Sequence, residues 1–92
     1  MNEPSTYGQL HAGDVVLGAD GKTWGVLSIC HGAGSTARLV LVQGTREVTG
    51  WPRRDEPVTV VHRCDTAAEA AAWAALAAAG LAPEVIAEQW ER

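Results

Sequence analysis

Cys30-His31 and His62-x-Cys64 are the residues of this chain best suited by type to chemistry, since two cysteines and two histidines make a complete tetrahedral donor set for zinc. Such a site would need both pairs at the ends of neighbouring strands. His62 and Cys64, two positions apart, share a strand face, but adjacent Cys30 and His31 point to opposite faces unless the chain turns between them. The C-x₂-C knuckle of structural zinc sites is absent. The spacing therefore predicts no metal, with the cysteines as small buried hydrophobes and the histidines at the rim.

Two glycine motifs invite a nucleotide. Gly21-Lys22-Thr23 matches the end of a P-loop, yet the first glycine of that motif falls at Val16 and a strand follows where a helix is required. Without a helix N-terminus there is neither a dipole nor a cradle for phosphate. Gly32-Ala33-Gly34-Ser35-Thr36-Ala37 matches G-x-G-x-x-A, and again a strand-like run, RLVLVQ, comes next. Both read as turns between strands, so no cofactor is expected. Nucleophilic catalysis finds equally little support. The three serines, three histidines and two cysteines lie in no nucleophile elbow and no H-E-x-x-H run. A chain of 92 residues has little room for a deep cleft. The sequence predicts a protein that is not an enzyme, with no catalytic residue assigned.

Surface chemistry is more promising. Trp51-Pro52-Arg53-Arg54 puts an indole beside two guanidinium groups, a pattern able to stack a base and hold a phosphate. Asp55 and Glu56 follow at once and offset the arginines. The alternative is a solvated loop, with Arg38 lying over Trp51 as a cross-strand cation–π pair. Four tryptophans and no phenylalanine are unusual. Trp24 and Trp73 fall at core positions, while Trp51 and Trp90 are free to meet a partner, as interface tryptophans often do; for Trp90 the competing expectation is packing back onto the sheet. Trp51, Arg53, Arg54, Arg38 and Trp90 are thus the candidate interaction surface.

Charge narrows the partner. The first 64 residues balance, whereas Asp65, Glu69, Glu84, Glu88 and Glu91 face Arg92 alone and supply the net −4. A broad attraction for nucleic acid or anionic lipid is not expected. No run of about 18 apolar residues is present, and MNEPSTYGQLHAGD, with an acid, a proline and no apolar stretch, does not read as a signal peptide. Cys30 and Cys64 then read as free thiols in a reducing cytoplasm.

The elements that would position these residues divide at Cys64. A single domain is expected, with a lead-in over 1–12, strands over 13–64 and helices over 65–92. DVVL and TWGVLSIC flank Asp20-Gly21, a two-residue hairpin signal that would set Leu17 opposite Trp24 and Val15 opposite Val26. TARLVLVQ leads into Gly44-Thr45, a type II′ turn that sets Leu41 opposite Val48, Leu39 opposite Gly50 and Arg38 beside Trp51. VTVVHR (58–63) is the fifth strand. Several strands are apolar on both faces, so one face should line the sheet's own core and the other be covered. The second face presents Leu27, Ile29, Val40 and Val42.

The alanine tract is the expected cover. Thr66 and Glu69 form a T-x-x-E capping box and Gly80 a C′ stop. Ala82-Pro83-Glu84 opens a second helix. Trp73, Leu76 and Ala77 form one apolar stripe, and Pro83, Ile86 and Trp90 another. The fold class expected is α+β: a five-stranded antiparallel SH3-like barrel or curled sheet, followed by a helical pair packed on it.

Five short strands, tight hairpins and the opening G-D-V-V make residues 13–63 resemble an SH3-like small barrel in pattern. GDVVLGADGKTWGVLSI, VTGWPRRDEPVTVV and the Ala-rich DTAAEAAAW, in that order, resemble small uncharacterised proteins of actinobacteria and actinobacteriophages. That resemblance implies no activity. The reading that results is a non-enzymatic small binding module with a protein partner, an accessory protein of phage or actinobacterial origin. The alternatives are a nucleic-acid-associated barrel using the Trp51–Arg54 loop and a structural subunit of a larger particle.

Overall fold

The computed structural model describes residues 2–18, 20–32 and 34–80. Its clearest turn is set by Gly44, whose φ of 64° occupies the first central position of a two-residue loop. No described non-glycine residue has a positive φ, so Thr45 does not, and the turn is type II′. The strands on either side, β4 (Ala37–Gln43) and β5 (Arg46–Gly50), pair in the expected register, Leu41 with Val48 and Leu39 with Gly50.

The hairpin of β2 (Asp14–Leu17) and β3 (Thr23–His31) is shifted by one residue from expectation. Val16 opposes Trp24 and Val15 opposes Gly25. The Gly18 N–H donates to the Lys22 carbonyl at 2.7 Å, and the Gly21 N–H to the Gly18 carbonyl at 3.0 Å, with Gly21 at φ 79°. Asp20-Gly21 is therefore the end of a three-residue loop with glycine in its left-handed position, not a two-residue turn.

The expected five-stranded barrel is corrected in its strand number and in its closure. Residues 1–12 are not a lead-in, because Glu3–Thr6 forms β1 against Val60–Pro57 of β6 (Pro57–Arg63), and Tyr7–Gln9 is a 3₁₀ turn. The sheet has six antiparallel strands in the order β1-β6-β2-β3-β4-β5 and is not closed. Its edge strands are linked by the loop after β5 instead of a ladder: Gly8 N–H donates to Arg54 O at 3.0 Å, and Arg54 N–H to Ser35 O at 2.8 Å. One helix is described, α1 (Ala67–Ala78); the second helix expected from Ala82 lies outside the described residues.

Two apolar clusters occupy the two faces. Leu10, Val16, Trp24, Val26, Leu39, Val58 and Val60 fill the inside of the curl. Val15, Ala70, Trp73 and Ala74 form the other cluster, beneath α1. The division of β3 between them differs from expectation because Leu27 is an extra residue in a bulge between Val26 and Ser28. A bulge reverses the alternation beyond it. Ile29 consequently packs on the inner cluster and Leu27 is exposed, while Val40 and Val42 are buried as expected.

Local rules place α1. The Thr66 hydroxyl accepts from the Glu69 N–H at 3.1 Å, and Gly80, at φ 97°, stops the helix with its N–H on Ala77 O. The alanines then let the helix backbone approach the sheet closely. Gly25 lies so near that a Cβ there would stand 2.7 Å from the carbonyl of Ala70. The Gly44 N–H also reaches across to Ala71 O at 3.1 Å. No helix among the described residues is long and apolar enough to cross a membrane.

Candidate interaction surface at the β5 edge

The β4–β5 ladder runs on past Gly50 in the same register: the Ala37 N–H donates to Pro52 O at 3.0 Å, and Thr36 bridges Arg53. Arg38 and Trp51 therefore stand opposite one another, as the sequence indicated. Trp51 is 65% exposed, the most open of the large apolar side chains described, and Arg38 is exposed beside it. Cys30 pairs with Arg38 in the next strand, so Cys30, Arg38 and Trp51 form one exposed row across three strands.

The arginines of the loop are engaged locally. Arg53 pairs with Asp55 at 3.8 Å, both side chains well exposed, and Arg54 donates to the Gly34 carbonyl. The cation–π contact is made by Arg46, 5.7 Å from the Trp24 ring, and not by Arg38 over Trp51. Trp90, the remaining candidate, lies outside the described residues. The structure thus sets Trp51 against Arg38 and fastens Arg53 and Arg54 into the turn.

Val48 adds an exposed apolar side chain at the same edge but on the opposite face of β5, although sequence reasoning placed it only by its partner Leu41. It is 40% exposed because β5 is an edge strand. Hydrogen bonding at the edge follows from the register. Ala37–Pro52 is a bonded pair, so Leu39–Gly50, Leu41–Val48 and Gln43–Arg46 are bonded pairs too. The N–H and C=O groups of Glu47, Thr49 and Trp51 then point away from β4. Edge strands normally carry a guard against such pairing. Pro4 sits on β1 at the opposite edge, whereas β5 has no proline and carries the charged Arg46 and Glu47.

Elsewhere the polar groups serve the fold. Buried Asp14 accepts from the His11 N–H at 2.9 Å and pairs with Arg63 at 3.3 Å, and Arg63 reaches Glu3 at 3.4 Å. His62 stacks on Trp73 with centroids 4.9 Å apart and planes 10° from parallel. Burial lowers the pKa of His62 and raises the Cys64 thiol to about 11, which keeps it protonated and a poor nucleophile at neutral pH. The cysteines are not the buried pair expected: Cys30 is exposed and Cys64 half-buried, both as free thiols. Nor do the two Cys/His pairs meet. His62 lies level with Val15 and hence Gly25, while Cys30 is two strands across and, with Leu27 bulged out, four ladder steps further along β3, roughly 13 Å at strand rise. No cluster of three or more potential metal ligands occurs among the described residues.

Two shallow grooves escaped sequence reasoning. One, about 420 Å³, is lined by Pro4, Tyr7, Leu17 and Pro57. The other, about 440 Å³, is lined by Leu10, His11, Leu27, Ile29 and His31. Both depend on segments without a sequence signal, the polar β1 for the first and the Leu27 bulge for the second.

No family model, curated protein or solved structure matches the chain.

Proposed function

We propose that this chain is a non-enzymatic binding module that contacts another protein through the β5 edge. The observation that carries this reading is the indole of Trp51, 65% exposed beside a strand whose outer backbone groups meet no partner among the described residues. Leaving a tryptophan in water forgoes the burial that its large apolar area would supply, and interface hot spots are enriched in tryptophan and arginine. Arg38 adds a charged contact on the same face as the indole, and Val48 an apolar one on the opposite face of the same edge. Main-chain donors and acceptors beside a flat aromatic suit an added strand of protein. They suit a phosphate backbone less well, because Arg53 and Arg54 are already held by Asp55 and Gly34. The free thiols fit a reducing, cytoplasmic setting.

Affinity capture from nuclease-treated lysate of the source cells tests the reading. The intact chain should retain a defined protein that Trp51→Ala loses. Retention that depends on intact nucleic acid, or that ignores Trp51→Ala, would refute it.

A further inference from the structure

We infer that the partner for the β5 edge is a second copy of this chain, paired strand to strand about a two-fold axis at Thr49. The inference rests on the reading of β5 as a contact surface and names its occupant.

The register follows from three features. Glu47, Thr49 and Trp51 present the outward N–H and C=O groups, and a two-fold at Thr49 sets Thr49 against Thr49 and Glu47 against Trp51 of the other copy. Every outward backbone group of the three residues is then paired. A two-fold at Val48 would leave Trp51 opposite Thr45, beyond the end of the strand, and its backbone unbonded.

On one face the same register brings Val48 beside Gly50 of the second copy. Val48 is 40% exposed, and a Cβ placed on Gly50 would meet nothing within 4 Å, so the glycine leaves the space that the valine needs. On the other face the row Cys30, Arg38, Trp51 continues into Glu47 of the second copy. Arg38 can lie along the indole and reach that carboxylate, so guanidinium, ring and carboxylate stack in order across the junction. Charge, shape and backbone bonding agree on one alignment. The β1 edge offers no equivalent, because Pro4 interrupts its donors.

The product is a continuous sheet through both copies, held by one strand pair. An interface of this size lies at the small end for protein–protein contacts, so the dimer should dissociate reversibly on dilution.

Sedimentation equilibrium of the full chain, from about 1 µM to about 1 mM, tests the proposal over the range in which weak complexes form. The mass should rise reversibly from monomer to dimer. Thr49→Pro removes the donor at the axis, an N–H that no described residue of the same chain accepts, and should give a folded monomer by circular dichroism. Charge reversal supplies a test that does not depend on proline. Arg38→Glu alone and Glu47→Arg alone should each weaken association by about tenfold or more. The double variant, Arg38→Glu with Glu47→Arg, should recover it. A chain that stays monomeric at 1 mM would overturn the proposal, as would a dimer indifferent to Thr49→Pro or a double variant no better than the singles. Monomeric chain that still captures a protein in a Trp51-dependent manner would overturn the second copy alone. Loss of both would overturn the contact-surface reading as well.

Discussion

Replacing Gly25 by alanine should loosen the helix from the sheet, and the geometry sets the size of the effect. An ideal Cβ on Gly25 would lie 2.7 Å from the carbonyl carbon and oxygen of Ala70 and 2.9 Å from the Ala71 nitrogen. Ordinary carbon contacts begin near 3.5 Å, so α1 must lift, or β3 sink, by roughly 0.8 Å. Neither side can yield by rotating a side chain, because both are backbone, and Ala70 and Ala74 are fully buried in the joint. Overpacking of this kind costs about 1–3 kcal/mol. The φ of Gly25 is not positive, so alanine also gains about 0.4–1 kcal/mol by restricting the unfolded chain. The net expectation is a loss of about 1.3 kcal/mol, or roughly 5–10 °C in Tm for a chain of this length. Urea denaturation followed by tryptophan fluorescence reads it directly. Gly32→Ala is the control: a Cβ there meets nothing within 4 Å, and stability should change by no more than about 1 kcal/mol. If Gly25→Ala proved as stable as Gly32→Ala, the close helix–sheet approach described here would be wrong.

Trp73→Ala should cost about 3–5 kcal/mol in the same assay, since the indole is 2% exposed between α1 and the sheet; a loss below about 1 kcal/mol would place Trp73 outside the core. Burial lowers the folded pKa of His62 from 6.5, so the folded state favours the neutral ring. Its contribution to stability is complete above about pH 6.5 and is lost as the pH falls through the depressed value. Tm should therefore fall less between pH 7 and pH 5 in His62→Phe than in the parent, and parallel curves would contradict this. With a disulfide reagent at pH 8, exposed Cys30 should react rapidly. Cys64, its thiol pushed up to about 11, should react much more slowly in the folded chain; two equally fast equivalents would refute that assignment.

Legibility from sequence tracked how local the determining physics was. The β4–β5 register was readable because Gly44-Thr45 admits one compact turn, and the ends of α1 because Thr66, Glu69 and Gly80 act within a single helical turn. Asp20-Gly21 misled by one residue, since the same dipeptide also closes a three-residue loop, and a choice between the two rests on what the strands can pack. The bulge at Leu27 had no signal of its own; it appears only when Val26 and Ile29 are both drawn to the inner cluster. Strand β1 was invisible because EPST carries no apolar alternation and pairs solely by adding to the β6 edge. At the candidate site, Arg38 beside Trp51 followed from the turn. The exposure of Val48 did not, because it depends on β5 ending the sheet, a property of the strand order.

Residue-resolved amide exchange of the full chain, dilute and then concentrated or bound to a captured partner, tests the role of the β5 edge most directly. In dilute solution the Glu47, Thr49 and Trp51 amides should exchange fast while those of Arg46, Val48 and Gly50, bonded to β4, exchange slowly. On association the first three should become protected and the second three change little. Protection that appears elsewhere while Glu47, Thr49 and Trp51 remain fast would contradict the assignment of this edge as the contact surface.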